Sequence, residues 1–334
     1  MVRLGVIGVG GISAAHLGNY GKMDSVQVVA LCDIIPARAE GRESVAINIA
    51  SENKQAIHAK AYLDYRQLLA DPEVEVVDIC LPTDLHAEVA IAALHAGKHV
   101  LSEKPMARTV EACDRMIAAA EATGNTLMIA QCIRFWPEYV ALKEILDNGA
   151  YGKLVHASFT RLSPLPTWSS DNWLLNPARS GGALLDLHVH DTDYIAFLLG
   201  VPKQVDASGV ANERGVVYVS TRYGYADQMV VEATGGWDHA DQFPFRMVFA
   251  LRLEHASIEW DGARGPMMVY PDGGEPFTPA LESGDGYSRE IDYFIDCIQR
   301  GVKPTIVTPQ SARDSVRIAL AEETSLRLGK PVAL

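Results

Sequence analysis

The sequence predicts an α/β fold in two parts: a parallel sheet covered by helices, then a part built mainly on antiparallel strands. Three observations carry this. Short apolar runs alternate with helical stretches as far as about residue 130. Beyond about residue 154, strand-like runs succeed one another with turn signals between them. The first apolar run ends in a glycine-rich turn, Gly8–Ser13, that opens a helix.

In chain order, Val2–Ile7 is an apolar run stopped by glycine, hence a buried strand. Gly11–Met23 reads as a helix, Val26–Cys32 as a strand ending at Asp33, and Pro36–Asn53 as a helix. A short strand around Ala61–Tyr62 precedes a short helix, Tyr65–Ala70, closed by Asp71-Pro72. Val76–Leu81 is a strand stopped by Pro82, and Leu85–Ala96 a helix with Gly97 just past its end. His99–Ser102 is a strand, Val110–Thr123 a helix ending at Gly124, and Thr126–Ala130 a strand. Apolar strands alternating with helices imply a parallel sheet buried on both faces. A helix at Pro137–Asn148 opens the second part. Strands are expected at Leu154–Leu162, Gln204–Asn212, Val216–Arg222, Gln228–Trp237, Arg246–Leu253, Ala256–Trp260 and Met267–Tyr270. Many of their connections are too short to cross a helical layer, so antiparallel pairing is expected. One helix, Ala183–Leu199, interrupts them, and a last one covers Ser311–Leu328. The expected domains are 1–130 and 131–334.

Composition narrows the class. The 334 residues suit about two domains of roughly 150 each. With 48% hydrophobic and 21% charged residues the balance is that of an ordinary globular protein. A net charge of −13 repels a phosphate backbone and an anionic membrane, so neither nucleic acid nor membrane is expected as a partner. The five cysteines are scattered and never spaced C-x-x-C, which fits buried free thiols in a reducing compartment. No signal-peptide pattern opens the chain, and no apolar stretch approaches the ~20 residues of a membrane helix. The cytoplasm is the expected location.

Gly8-Val9-Gly10-Gly11-Ile12-Ser13 has the form G-x-G-x-x-S. The first glycine allows a tight turn, the second lets the backbone approach a pyrophosphate, and the third position needs a small residue for packing. The helix that follows presents free N–H groups and a partial positive charge. Strand, turn and helix are the context such a Rossmann nucleotide site requires. Asp33 stands 23 residues after Gly10, where a carboxylate accepts ribose hydroxyls and repels a 2′-phosphate. NAD is therefore favoured over NADP, although Arg38 lies close in sequence.

Two further groups supply chemistry. Lys104, between Glu103 and Pro105, sits at the carboxyl end of an expected parallel strand, where open sheets bind ligands. Pro105 biases it towards extended backbone. The simple alternative is a surface lysine paired with Glu103. Asp186, His190 and Asp193 fall at i, i+4 and i+7, one helical face, with His188 on the opposite side. An imidazole titrates near neutrality and can take a hydroxyl proton, and a nearby carboxylate can orient it. An ammonium, a carboxylate and an imidazole downstream of a nucleotide turn point to a nicotinamide-dependent dehydrogenase. Metal binding by the Asp/His-rich stretch is the rival, disfavoured because a helix scatters the ligands. Arg134, Trp136, Asn172 and Trp173 lie in segments whose aromatic and amide groups suit a sugar. His239 and Tyr287 stay unassigned.

These residues together resemble the glucose–fructose oxidoreductase / inositol dehydrogenase / MocA family over nearly the whole chain. The match lies in Gly8–His16, Asp33, Leu81-Pro82-Thr83-x-x-His86, Ala96-Gly97-Lys98-His99-Val100 running into Glu103-Lys104-Pro105, Arg134-Phe135, and Gly181-Gly182-x-Leu184-x-Asp186-x-x-x-His190-x-x-Asp193. The resemblance implies a Rossmann domain and a C-terminal α+β domain with a large open, mainly antiparallel sheet, often used to form dimers or tetramers. It implies sugars, inositols and related polyols as substrates. Lys104 would bind the reacting oxygen, His190 act as acid/base, Asp186 hold substrate or imidazole, and Asp193 contact substrate or support the site. Gly8, Gly10, Gly11 and Ile12 would hold the cofactor, with Leu81, Pro82, Thr83, His86 and Glu103 lining its nicotinamide end. Ser13 replaces the third glycine and Asp84 stands where asparagine is common. Two rival activities remain at this level: a glycosidase that oxidises transiently with bound NAD, and a catalytically silent NAD-binding regulator.

Overall fold

The computed structural model describes residues 1–43, 59–225 and 229–334. The chain divides into two compact units. One holds Met1–Cys132, Trp168–Trp173 and Gly286–Arg313; the other holds Ile133–Thr167, Leu174–Asp285 and Asp314–Leu334.

The first unit is built on β1 (Val2–Ile7), α1 (Gly11–Tyr20), β2 (Val26–Cys32), α2 (Pro36–Ala39), β3 (Lys60–Tyr62), α3 (Tyr65–Ala70), β4 (Val76–Ile79), α4 (Thr83–His95), β5 (His99–Glu103), α5 (Val110–Thr123) and β6 (Leu127–Ala130). Its six strands run parallel in the order β3-β2-β1-β4-β5-β6. The order reverses between β1 and β4, and ligands of open α/β sheets bind beyond the strand ends at such a switch point. The expected helix Pro36–Asn53 is seen as α2 alone; residues 44–53 lie outside the described residues. The AGKHV run has a structural explanation. Lys98 buries its ammonium and donates to the carbonyls of Asp71 and Val74 at 2.9 and 2.7 Å, satisfying the connection from α3 to β4.

A helix that the sequence reading passed over, α9 (Gly286–Arg300), returns to this unit and packs against α1. Its buried positions Glu290, Ile291, Phe294, Ile295 and Cys297 carry a helical period, so the signal was present.

The second unit begins with a 3₁₀ turn and α6 (Pro137–Asn148), followed by β7 (Leu154–Pro164). After α7 (Pro177–Ser180), a π-helical turn at Leu184–His188 leads into α8 (Val189–Leu199). The single helix expected over Ala183–Leu199 is therefore two geometries in series. There follow β8 (Gln204–Asn212), β9 (Gly215–Gly224), β10 (Val230–His239), β11 (Arg246–Leu253), β12 (Ala256–Asp261) and β13 (Met268–Pro271). α10 (Pro309–Leu328) and β14 (Val332–Ala333) end the chain. The eight-stranded sheet has the order β13-β12-β11-β7-β10-β9-β8-β14, antiparallel except for the central β7–β10 pair. The π turn lies on β9 and β10. Gly235 in β10 makes room for it, since a Cβ there would come within 2.6 Å of the His188 ring. Tyr139 packs edge-to-face against Tyr194, Phe249 and Trp260, and Phe249 lies tilted against Trp260, forming an aromatic core. In alternate positions Ser158, Glu232, Arg222 and Asp206 stand in register across β7, β10, β9 and β8 and are exposed.

Lys98→Met should destabilise the protein by about 1–3 kcal/mol, because two buried carbonyls lose their donor. Urea unfolding checks this; an unchanged midpoint would remove the ammonium from the fold's supports.

Candidate active site

The glycine turn has the shape a dinucleotide needs. Gly8 adopts φ +90°, and a Cβ there would sit 2.5 Å from the Cys80 carbonyl oxygen. Only glycine fits this left-handed position. Gly10 has open space where a Cβ would point, and no side chain caps α1 at that residue. The helix N-terminus thus faces a clear approach for phosphate. Ser13 is buried and donates to the Gly10 carbonyl at 2.7 Å, so a small polar residue serves where the third glycine stands in the family. Asp33 accepts the Val9 and Ile35 N–H groups, each at 2.9 Å, one on each carboxylate oxygen. Each oxygen keeps a lone pair for a ribose hydroxyl. Thr83 opens α4, and its buried Oγ1 has no hydrogen-bond partner among the described residues, as expected of a group completed by a ligand. Leu81 and Pro82 just before it are half-buried, like Gly11 and Ile12. These residues fit NAD.

Lys104 follows β5 and is half-buried, between buried Glu103 and Pro105; the Lys104–Pro105 peptide is cis. The Lys104 N–H donates to Glu103 Oε2 at 3.0 Å. The other Glu103 oxygen faces His16 Nε2 at 3.0 Å, and His16 Nδ1 faces Asp78 Oδ2 at 2.8 Å. Tyr20 donates to the same Asp78 oxygen at 2.9 Å. His16 and Asp78 are fully buried. Burial opposes a charge on His16, yet the Asp78 carboxylate and its hydrogen bond outweigh this and raise the imidazole pKa well above its ordinary value. Burial, then Asp78, pushes the Cys80 thiol beside it up to about 12, so it stays neutral.

In the second unit, Asp186 lies in the π turn and His190 in the first turn of α8, both half-buried. The rest of α8 is pinned by two buried ionic forks. Arg134 donates to Asp193 through Nε at 2.8 Å and Nη2 at 2.7 Å, with Ser315 adding a bond at 2.6 Å. Arg161 of β7 donates to Asp191 at 3.0 and 2.9 Å. His188 is buried with Nε2 3.1 Å from Glu322 of α10, on a polar patch with Tyr223 and Thr192.

The structure therefore sorts the expected contacts. Lys104, Asp186, His190 and Trp136 are half-buried; Asn172 is exposed at φ 49° and Trp173 half-buried. Four residues expected to touch cofactor or substrate are turned to protein instead. Arg134 and Asp193 occupy one another, Glu103 is taken by His16 and the Lys104 backbone, and His86 is buried with both ring nitrogens 2.8 Å from the carbonyls of Leu81 and Pro105. Glu103 and His86 hold backbone, while Arg134 and Asp193 tie the turn before α6 to α8. His16, Tyr20 and Asp78 were missed as a group. Asp78 was the available signal, because a carboxylate inside a fully buried strand requires partners.

A parallel switch-point sheet, a glycine turn open at its helix and a carboxylate at the end of β2 define a dinucleotide-dependent oxidoreductase. Residues 2–131 match the oxidoreductase family with NAD-binding Rossmann fold, and residues 139–259 match the GFO/IDH/MocA C-terminal domain. The chain belongs to the glucose–fructose oxidoreductase / inositol dehydrogenase / MocA family. It is 35% identical to an inositol 2-dehydrogenase of Salmonella paratyphi B, over 91% of this chain and 88% of that one. It is 32% identical to a myo-inositol 2-dehydrogenase of Thermotoga maritima, over 100% and 98% of the two chains. A levoglucosan dehydrogenase solved with NADH and levoglucosan shares the fold at a TM-score of 0.82 and 23% identity, over 99% of each chain.

Arg134→Leu should cost about 3–5 kcal/mol of stability by stranding Asp193 in the core. Arg134→Leu/Asp193→Leu should cost clearly less than the two single changes summed. Additive losses in denaturant unfolding would show that the pair is not a coupled structural unit.

Proposed function

We propose that this protein oxidises a secondary alcohol of a sugar, inositol or related polyol with NAD. The observation that carries the reading is the glycine turn with its open Gly10 in the same unit as a half-buried Lys104 at the carboxyl end of β5. The names of the inositol dehydrogenases it resembles support the substrate class.

Bound NAD supplies the hydride acceptor. Gly8, Gly10, Gly11 and Ile12 hold its pyrophosphate against the α1 N-terminus, and Asp33 holds the adenosine ribose and repels a 2′-phosphate. Leu81, Pro82 and Thr83 line the nicotinamide end. Lys104 hydrogen-bonds the reacting oxygen and stabilises negative charge developing there. His190 takes the hydroxyl proton, and Asp186 orients the imidazole or the substrate. Trp136, Asn172 and Trp173 contact the sugar. In this reading residues 1–130 bind NAD, and residues 131–334 bind substrate and join subunits into a homodimer or homotetramer through the exposed sheet face. The protein works in the cytoplasm; no helix among the described residues is long and apolar enough to cross a membrane.

Lys104→Met and His190→Ala should each lower turnover by ~10²–10⁴-fold, the usual worth of acid/base assistance, while NAD affinity holds. Formation of NADH across inositols, aldoses and sugar acids measures this. Wild-type turnover in either variant would sink the assignment of that residue.

A further inference from the structure

Among the buried ionisable clusters that the reaction assigned above leaves unused, one is bonded to the Lys104 backbone. His16 of α1 reaches two carboxylates from two different strands, Asp78 of β4 at 2.8 Å and Glu103 of β5 at 3.0 Å. An ionised carboxylate only accepts hydrogen bonds. Each ring nitrogen must then carry a proton, which makes the ring an imidazolium. The other side of Glu103 binds the Lys104 backbone N–H.

We propose that His16 is a positioning residue for Lys104 that stands as an imidazolium at neutral pH. It clamps Glu103, which in turn fixes the Lys104 peptide, and its charge offsets the carboxylate pair. This rests on the assignment of Lys104 to the reacting oxygen. Without the imidazolium, the buried Asp78 and Glu103 carboxylates would lose the cation they share, one of them directly bonded to the Lys104 backbone. The Lys104 ammonium would then be drawn back into the protein and away from substrate. The remaining titratable groups around the ring do not supply the missing charge. Burial holds the Tyr20 phenol and the Cys80 thiol neutral, and it does the same for Tyr287 of α9, which senses both Glu103 and His16. Glu290 of α9 would add only further negative charge. The hydrogen bonds account for the inward atoms of His16 and for Asp78 Oδ2 without a metal ion.

The sign of the pH effect follows. The folded pKa of His16 lies above 6.5, its ordinary value, so the stabilisation it gives is complete below that pH and fades as pH rises through the raised value.

Two measurements test the proposal. Ring ¹⁵N shifts of the histidine-labelled full-length protein should show one imidazolium from pH 6 to 8 that is absent in His16→Asn. A neutral tautomer at His16 over that range would overturn the proposal. His16→Asn should bind NAD within about threefold of wild type, since the glycine turn and Asp33 are untouched. Its turnover should fall at least tenfold and worsen with rising pH, as the second carboxyl ionises. His16→Asn/Asp78→Asn removes the surplus charge and keeps the Glu103–Lys104 bond; it should recover at least tenfold of turnover, and it carries the test if the single variant does not fold. A folded single variant with wild-type turnover and pH profile, or a folded double variant as slow as the single one at every pH, would overturn the proposal. Lys104→Met in parallel separates the two readings: if it too were fully active, the assignment of Lys104 would fail first.

Discussion

A carboxylate buried without a partner costs several kcal/mol, and this chain buries several carboxylates in its two units. Asp78 and Glu103 share one imidazole, while Asp191 and Asp193 each take an arginine fork. Every such pairing joins elements far apart in sequence. Asp78 and Glu103 lock α1 to the neighbouring strands β4 and β5. The two forks lock α8 to β7 and to the turn before α6. Hydrophobic burial would hold these elements near one another, but it is non-directional. The charged pairs fix their rotation and depth, and so decide where Lys104, Asp186 and His190 stand.

The same logic separates residues that do chemistry from those that hold them. The chemical groups are half-buried, each one residue or a few away from a fully buried ion pair. Glu103 stands beside Lys104, and Asp191 beside His190. Adjacent positions on a strand or helix point in different directions, so one side chain can be sealed in protein while the next reaches outward. A motif such as Glu-Lys-Pro thus packs an anchor and a working group into two consecutive residues.

Much of this was legible in the sequence. The six parallel strands, the glycine turn and Asp33 followed from apolar runs and the spacing of small and acidic residues, because these are local patterns. The antiparallel character of the second sheet followed from short connections, whereas the parallel β7–β10 pair at its centre is a long-range choice with no local mark. The helical face carrying Asp186 and His190 was readable; the π turn beneath it was not, since it depends on the space left by Gly235 on another element. Arg134 and Asp193 looked like ligands for substrate because sequence cannot show that two charged residues 59 positions apart meet each other. Helix α9 is absent from the sequence reading although its buried positions keep a regular helical period.

The return of Gly286–Arg313 to the first unit has a consequence for how the protein is made. A ribosome releases the strands of the parallel sheet early, and β6 is complete by residue 130. The helix that covers α1 is not synthesised until residue 286 and beyond. For more than a hundred residues of translation the nucleotide-binding half therefore waits with one flank of α1 uncovered. The unit that holds the parallel sheet is therefore completed only after residue 313, well behind its own strands.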